Sequence, residues 1–405
     1  MTGKLKIGLE ARILSGPMTG VGNYSFRLLQ ALTENHPELT YIGFGLRSWN
    51  ALDAGILKNI ENEQEERGVA TKPKESRLKR SIRFLETKGR SRLLRLGLTQ
   101  SLYRASFSRT VKHQSLDMFH AFNYLPVADP GVLTLPVVYD LSFVRYPEFH
   151  PIDRLRILEK LPQLLKRSPR VQTISQFSRN EIATFYGCER DRIFVAPPAA
   201  ASNFRPLGLE VTKRELIRFD VSPGKYLLSV GTLEPRKNLQ TLVSAYARLP
   251  KATRNLAPLL IVGGAGWGEL GLPTETPALV SEGNLRFLGS VKNRELRSLY
   301  EGAIALLYPS VYEGFGMPVV EAMACGTNVA HSANTSMDEI SNGLAMRVEA
   351  TDVEAWSEAI NVLIAQSDAG SNVIRPRLIA QAATFDWGRS AALVQQAYAE
   401  MADLR

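Results

Sequence analysis

A chain of 405 residues with 44% hydrophobic and 22% charged residues reads as a soluble globular protein of two or three domains. It holds no run of eighteen apolar residues, its start (M-T-G-K-L-K-I-G) lacks a leader pattern, and Cys188 and Cys325 stand alone, so we expect a cytoplasmic protein with reduced thiols, without spanning helix, disulfide or metal cluster. The net charge of +9 is uneven, because Arg67 to Lys112 carries fourteen Lys/Arg against two acids and the remainder is −3.

Leu5 to Ala11 reads as a first strand. S-G-P-M-T-G-V-G-N-Y and an amphipathic helix to about Leu32 follow, the opening of a Rossmann-like domain. Gly20 and Gly22 could let the loop backbone approach a diphosphate or could simply form a turn. In the basic segment, Leu78, Ile82 and Leu85 fall at helical spacing, as do Leu94, Leu98 and Leu102. That pattern fits an anionic membrane surface, a solvated helical pair, or nucleic acid. Nucleic acid is disfavoured because Phe84, Tyr103 and Phe107 are too few for a stacking platform.

Asp117 to Ala121 and Leu135 to Asp140 read as buried strands. Asp140, at a strand end, reads on sequence grounds as an N-cap or turn acid unless it faces a cleft; His120 could line a pocket or be structural. Ser178 with Glu181 three residues on reads as a capping box, with Ser175 in the loop before it. A strand from Ile193 to Ala196 precedes a polar linker, which places the domain boundary near Pro206 to Pro223.

The second half opens with a strand, Tyr226 to Val230, and then G-T-L-E-P-R-K-N-L. Arg236 and Lys237 stand before a helix, where two cations suit a diphosphate unless they are an ordinary surface pair. Leu259 to Gly263 leads into G-G-A-G-W-G-E, and Leu285 to Gly289 leads into Ser290 and Val291. Ile304 to Tyr308 is the strand before Y-P-S-V-Y-E-G-F-G-M-P-V-V-E-A-M-A-C-G. Here Gly314 and Gly316 loosen the loop, Pro318 suits the first helical turn, and Gly326 suits the residue past the helix end. Unpaired N–H groups at that helix start favour an anion. Glu313 and Glu321 flank the spot, and carboxylates accept from hydroxyls, so a phosphorylated sugar or nucleoside fits. Trp387 to Met401 is a last amphipathic helix.

Glu313 and Glu321, with seven residues between them and G-F-G-M-P inside, resemble the Glu-x7-Glu motif of retaining GT-B glycosyltransferases, family 4 in particular. The likeness covers most of the chain, least over residues 50–115 and most over 226–331. It implies two facing Rossmann-like α/β domains with parallel sheets and a deep cleft. The acceptor domain would be 1–206, with 67–112 inserted, and the nucleotide-sugar domain 223–385. Residues 386–405 would cross back onto the first domain.

The resemblance assigns Arg236 and Lys237 to the donor diphosphate, Glu313 to sugar hydroxyls and Glu321 to the ribose. Gly20 and Gly22 would face the donor, with Gly314, Phe315, Gly316 and Met317 cradling it, while Ser290 and Val291 hold the base. Asp140 would act at the reacting sugar, with His120, Tyr139 and Ser175 as weaker sugar or acceptor contacts. V-V-Y-D-L departs from the family's usual His-Asp-Leu, with Tyr139 in the histidine position. The sequence contains no Asp-x-Asp, so fixed cations and amides, without metal or other cofactor, are expected to stabilise the leaving group.

The implied activity is mannosyl transfer from GDP-mannose to a lipid-linked or polysaccharide acceptor in bacterial surface glycan synthesis. The enzyme would sit peripherally on the inner face of the cytoplasmic membrane through residues 67–112, without nucleic-acid partners. A soluble small-molecule acceptor, or nucleotide-sugar binding without turnover, are the alternatives.

Overall fold

A computed structural model describes residues 4–14, 20–45, 49–69, 98–368 and 374–404. Its first sheet contains β1 (Lys6–Glu10), β2 (Thr40–Phe44), β3 (Trp49–Ala51), β4 (Met118–Ala121) and β5 (Leu133–Pro136), in the order β3-β2-β1-β4-β5. All neighbours are parallel except β2 with β3. Beside β5 a bridge from Val137 to Gln172 adds the parallel pair β6 (Val171–Thr173) and β7 (Ile193–Val195). The strand expected from Leu135 to Asp140 therefore ends at Pro136, which has no N–H to donate. The chain then leans onto β6, with Val138 N bonded to Gln172 O at 2.8 Å.

The second sheet contains β8 (Leu227–Val230), β9 (Leu259–Val262), β10 (Leu285–Gly289), β11 (Ala305–Tyr308), β12 (Asn328–Ser332) and β13 (Met346–Val348). Its order is β10-β9-β8-β11-β12-β13, parallel throughout. L-L-I-V in β9 and A-L-L-Y in β11 are buried along their whole length. Such unbroken apolar runs belong to strands covered by helices on both faces. Strand order reverses at β8 and β11, so a crevice opens beyond their carboxyl ends.

The helix Trp387–Ala402 packs on Gly20–Asn35 of the first domain, burying Ala391, Val394, Ala397, Tyr398 and Met401. Asp386 caps its start by accepting from Arg389 N at 2.8 Å, and Ser390 Oγ donates to Pro197 O at 2.6 Å.

Residues 70–97, most of the basic segment, lie outside the described residues. The segment's end forms the helix Leu98–Thr110, in which Tyr103 and Phe107 are buried among Phe44, Phe119 and Val111 while Leu102 is 68% exposed. No helix among the described residues is long and apolar enough to cross a membrane. Cys188 and Cys325 are free and buried.

Candidate active site

Two loops at the strand reversal build the site. The loop after β8 turns through Pro235–Lys237 and delivers Arg236 and Lys237; the loop after β11 delivers Glu313. Asn238 Nδ2 ties the two together by donating to Pro309 O at 3.1 Å, and Val311 N bonds Arg236 O at 3.0 Å. Lys237 Nζ donates to Glu313 Oε1 at 2.5 Å and to Tyr308 Oη at 2.7 Å. Arg236 reaches Glu313 Oε2 at 2.9 Å, Glu234 Oε1 at 2.6 Å and Tyr312 O at 2.7 Å. Ser310 Oγ and Tyr308 Oη complete the shell of Glu313 at 2.6 and 3.0 Å.

Burial opposes the charge on Glu313, but Arg236 and Lys237 outweigh it and bring its pKa down to about 2. Burial likewise works against Arg236, whose pKa is nonetheless held above its ordinary value by Glu313, Glu234 and Asp140. For Lys237 burial prevails, reinforced by Arg236, so its pKa is lowered. The two cations are thus balanced by Glu234 and Glu313.

Glu313 leads into the helix Met317–Ala324, with Gly316 at φ +122° before it, Pro318 in its first turn and Gly326 at φ +75° just past its end, as the glycine and proline positions imply. Ser336 Oγ lies 2.8 Å from Glu313 O and 2.6 Å from Phe315 O, fixing the loop from behind. The Phe315 side chain is buried edge-on against Phe385, and Met317 is half-buried. Glu321 lies one turn in. It accepts from Tyr300 Oη at 3.0 Å and stands apart from the cation cluster, and burial pushes its pKa up to about 7.

Across the cleft, Gly314 presses on the first domain: a Cβ there would lie 2.5 Å from Tyr139 O and 2.9 Å from Asp140 Cβ. Only a residue without a side chain permits this approach. Asp140 is half-buried, and its Oδ1 accepts from Ser142 N, Ser142 Oγ and Tyr124 Oη at 3.0, 2.7 and 3.3 Å. One carboxylate oxygen thus closes a turn while the group also contributes to the field at Arg236.

Three expected contacts are structural instead. Tyr139 is buried and donates its hydroxyl to Phe122 O at 2.7 Å, inside the first domain. His120 is fully buried, stacked on Phe122 and bonded to Tyr398 Oη at 2.6 Å, and burial lowers its pKa to about 3. It joins the first domain to the last helix. Ser175 caps the helix Gln176–Tyr186 by accepting from Ser178 N at 3.0 Å. The capping box expected from Ser178 and Glu181 is not formed; the cap is made by the Ser175 side chain alone, three residues earlier. Ser178 Oγ is shared between Tyr139 O and Gly314 O, and Glu181 meets Arg145 and the Tyr312 hydroxyl.

Gly20 opens the helix Gly20–Asn35 and Gly22 is buried in its first turn, while residues 15–19 of that loop lie outside the described residues. On the far side, Ser290 is exposed with its hydroxyl against Gly264, where a Cβ would sit 2.9 Å from Ser290 Oγ; Val291 is half-buried.

Residues 214–377 match the family model "Glycosyl transferases group 1". O-antigen chain mannosyltransferase B of Escherichia coli is 31% identical over 387 residues, covering 95% of this chain and 96% of the relative. The chain belongs to this glycosyltransferase family. Serotype-specific mannosyltransferase WbdA of Escherichia coli is 25% identical over 66% of the chain, a match that spans 32% of that longer relative. HepE of Anabaena, solved in complex with UDP and glucose, superposes with a TM-score of 0.69 over 98% of this chain and 100% of its own at 16% identity. The fold is GT-B, and the protein is a hexosyltransferase.

Sequence reasoning passed over several residues that hold this glycosyltransferase's site together. Glu234, 2% exposed, is a second partner for Arg236. Tyr312 accepts from Leu141 N at 2.9 Å and donates to Glu181, so one hydroxyl spans the two domains. Glu339 accepts from Gln176 N and Phe177 N at 3.0 and 3.2 Å, placing a carboxylate of one domain on a helix start of the other. Glu234, inside L-E-P-R-K, and Tyr312, next to Glu313, stood close enough to a motif to be suspected; Glu339 did not.

Proposed function

We propose that this glycosyltransferase moves mannose from GDP-mannose to a glycan or lipid-linked acceptor in bacterial surface polysaccharide synthesis, retaining the anomeric configuration without a metal. The Arg236–Lys237–Glu313 cluster beyond β8 and β11 carries the reading, because it sets two cations and a carboxylate where the strand order reverses. The relatives named as O-antigen mannosyltransferases support mannose.

In the reaction the bond between the anomeric carbon and the β-phosphate oxygen breaks, and negative charge grows on that oxygen. Arg236 and Lys237 neutralise it in place. The acceptor oxygen bonds the anomeric carbon on the same face, and its proton passes to the departing phosphate oxygen. Glu313, displaced from its cations by the diphosphate, turns its oxygens to sugar hydroxyls, while Glu321 accepts from the ribose and Asp140 holds the reacting sugar from the first domain.

Purified protein, GDP-mannose carrying carbon-13 at the anomeric position and a mannose-terminated acceptor test this. Release of GDP with an α-linked product by NMR, undiminished by a chelator, is the expected result. An inverted linkage, or strict dependence on a divalent ion, would sink the mechanism, and a better rate with another nucleotide sugar would sink the donor.

Residues 67–112 would hold the enzyme at anionic lipid. Because Phe107 is part of the core, the informative deletion is 70–97. Liposome flotation should fall on its removal, and unchanged flotation would assign the charge to solvent.

A further inference from the structure

The helix Gln176–Tyr186 belongs to the first domain, yet the second domain holds its start. Of its first three N–H groups, Ser175 takes that of Ser178, while the two carboxylate oxygens of Glu339 take those of Gln176 and Phe177. A carboxylate is stabilised there by the unpaired N–H groups and by the helix dipole together. The same helix meets the residues on either side of Glu313. Ser178 Oγ lies 3.3 Å from Gly314 O and 3.0 Å from Tyr139 O, and Glu181 accepts from the Tyr312 hydroxyl. The stretch carrying Glu339 is tied to that loop as well. Ser336 Oγ donates to Glu313 O and Phe315 O, and a Cβ on Gly316 would meet Met337 Cγ at 2.9 Å.

We propose that Glu339 is a positioning residue for glycosyl transfer: it seats the helix Gln176–Tyr186 on the second domain, and the seated helix clamps Tyr312 and Gly314 with Glu313 between them. The inference rests on the role proposed above for Glu313 at the donor sugar and adds what fixes that carboxylate in place. Each oxygen of Glu339 accepts one of the two N–H groups, so its influence on the sugar runs through the helix. The contacts at the helix start differ in strength. Ser178 has one hydroxyl proton to divide between two carbonyl oxygens. The Glu339 bonds are two and charge-assisted, which makes them the firmer hold. Parting the domains would return the carboxylate and both N–H groups to water, and Ser178 would lose Gly314 O in the same motion. Domain closure and the setting of the Glu313 loop are thereby one event.

The test uses the full-length protein with GDP-mannose and a mannose-terminated acceptor, with amide exchange followed by NMR. Glu339→Ala should lower kcat by about tenfold or more, with GDP affinity changed by less than about twofold. Glu339→Gln, which keeps one acceptor oxygen and a similar shape, should lose less. The Leu141 amide, bonded to Tyr312 and not to Glu339, should exchange severalfold faster in Glu339→Ala, because the whole interface loosens. Ser178→Ala should also slow transfer, and the double variant should be no slower than the worse single one, since both act through one docked helix. An unchanged kcat, an unchanged Leu141 exchange rate, or losses that multiply in the double variant would overturn the clamp. Failure of the wild-type protein to use GDP-mannose would overturn the donor reading, and the Leu141 exchange rates would still decide the clamp.

Discussion

Arg236 Nη1 stands 2.9 Å from Glu313 Oε2, so in the proposed reaction a donor diphosphate competes with Glu313 for this guanidinium. Glu313→Gln removes that competition. GDP should bind as well or better, while transfer should fall by roughly 10²–10³-fold, measured by calorimetry and by initial rates. The acid limb of stability changes too. Glu313 has a folded pKa of about 2, below its ordinary 4.5. Its contribution is present above 4.5 and is lost as pH falls toward 2. The glutamine variant should lack that part of the acid denaturation curve.

Arg236→Ala and Lys237→Ala remove the charges proposed to meet the leaving group. Each should lower turnover by about 10²-fold or more, and each leaves Glu313 buried with one cation fewer, so melting temperature should drop as well. Unchanged rates in both would refute the assignment.

Glu321 behaves in the opposite sense to Glu313. Burial raises its folded pKa to about 7 from 4.5, so its contribution is full below 4.5 and is lost as pH rises toward 7. Glu321→Gln, which can still accept from Tyr300, should melt higher than wild type at pH 8, by roughly 2–4 °C for each kcal/mol regained. The gap should close at pH 5. An equal shift at both values would mean that charge burial is not the cause.

Gly314→Ala places a methyl 2.5 Å from the backbone oxygen of Tyr139. Neither backbone can yield without moving the domains apart. Transfer should fall by about 10–10²-fold, while far-UV circular dichroism stays that of the wild type.

Tyr312→Phe deletes the hydroxyl shared by Leu141 N and Glu181. Amide exchange at Leu141 should quicken, because that N–H loses its partner. GDP affinity should hold, since Arg236 bonds the Tyr312 backbone oxygen and not its ring.

The order of α/β elements and the strand–glycine loop–helix around Glu313 were legible in the sequence. Unbroken apolar runs, a proline in the first helical turn and a glycine past its end follow from backbone chemistry alone. Pairing of Arg236 and Lys237 with Glu313 was not legible, since 76 residues separate Lys237 from Glu313 and only the strand reversal brings their loops together. The same holds for His120 and Tyr139. A polar side chain at a strand end reads alike whether it faces a cleft or a neighbouring helix, and the return of Tyr398 to the first domain settled His120 as core. Glu339 carries no local pattern, and Tyr312, although it adjoins Glu313 in the motif, gives no sign in sequence of its partners Leu141 and Glu181. Their places come from two domains closing on each other, which short-range periodicity does not encode.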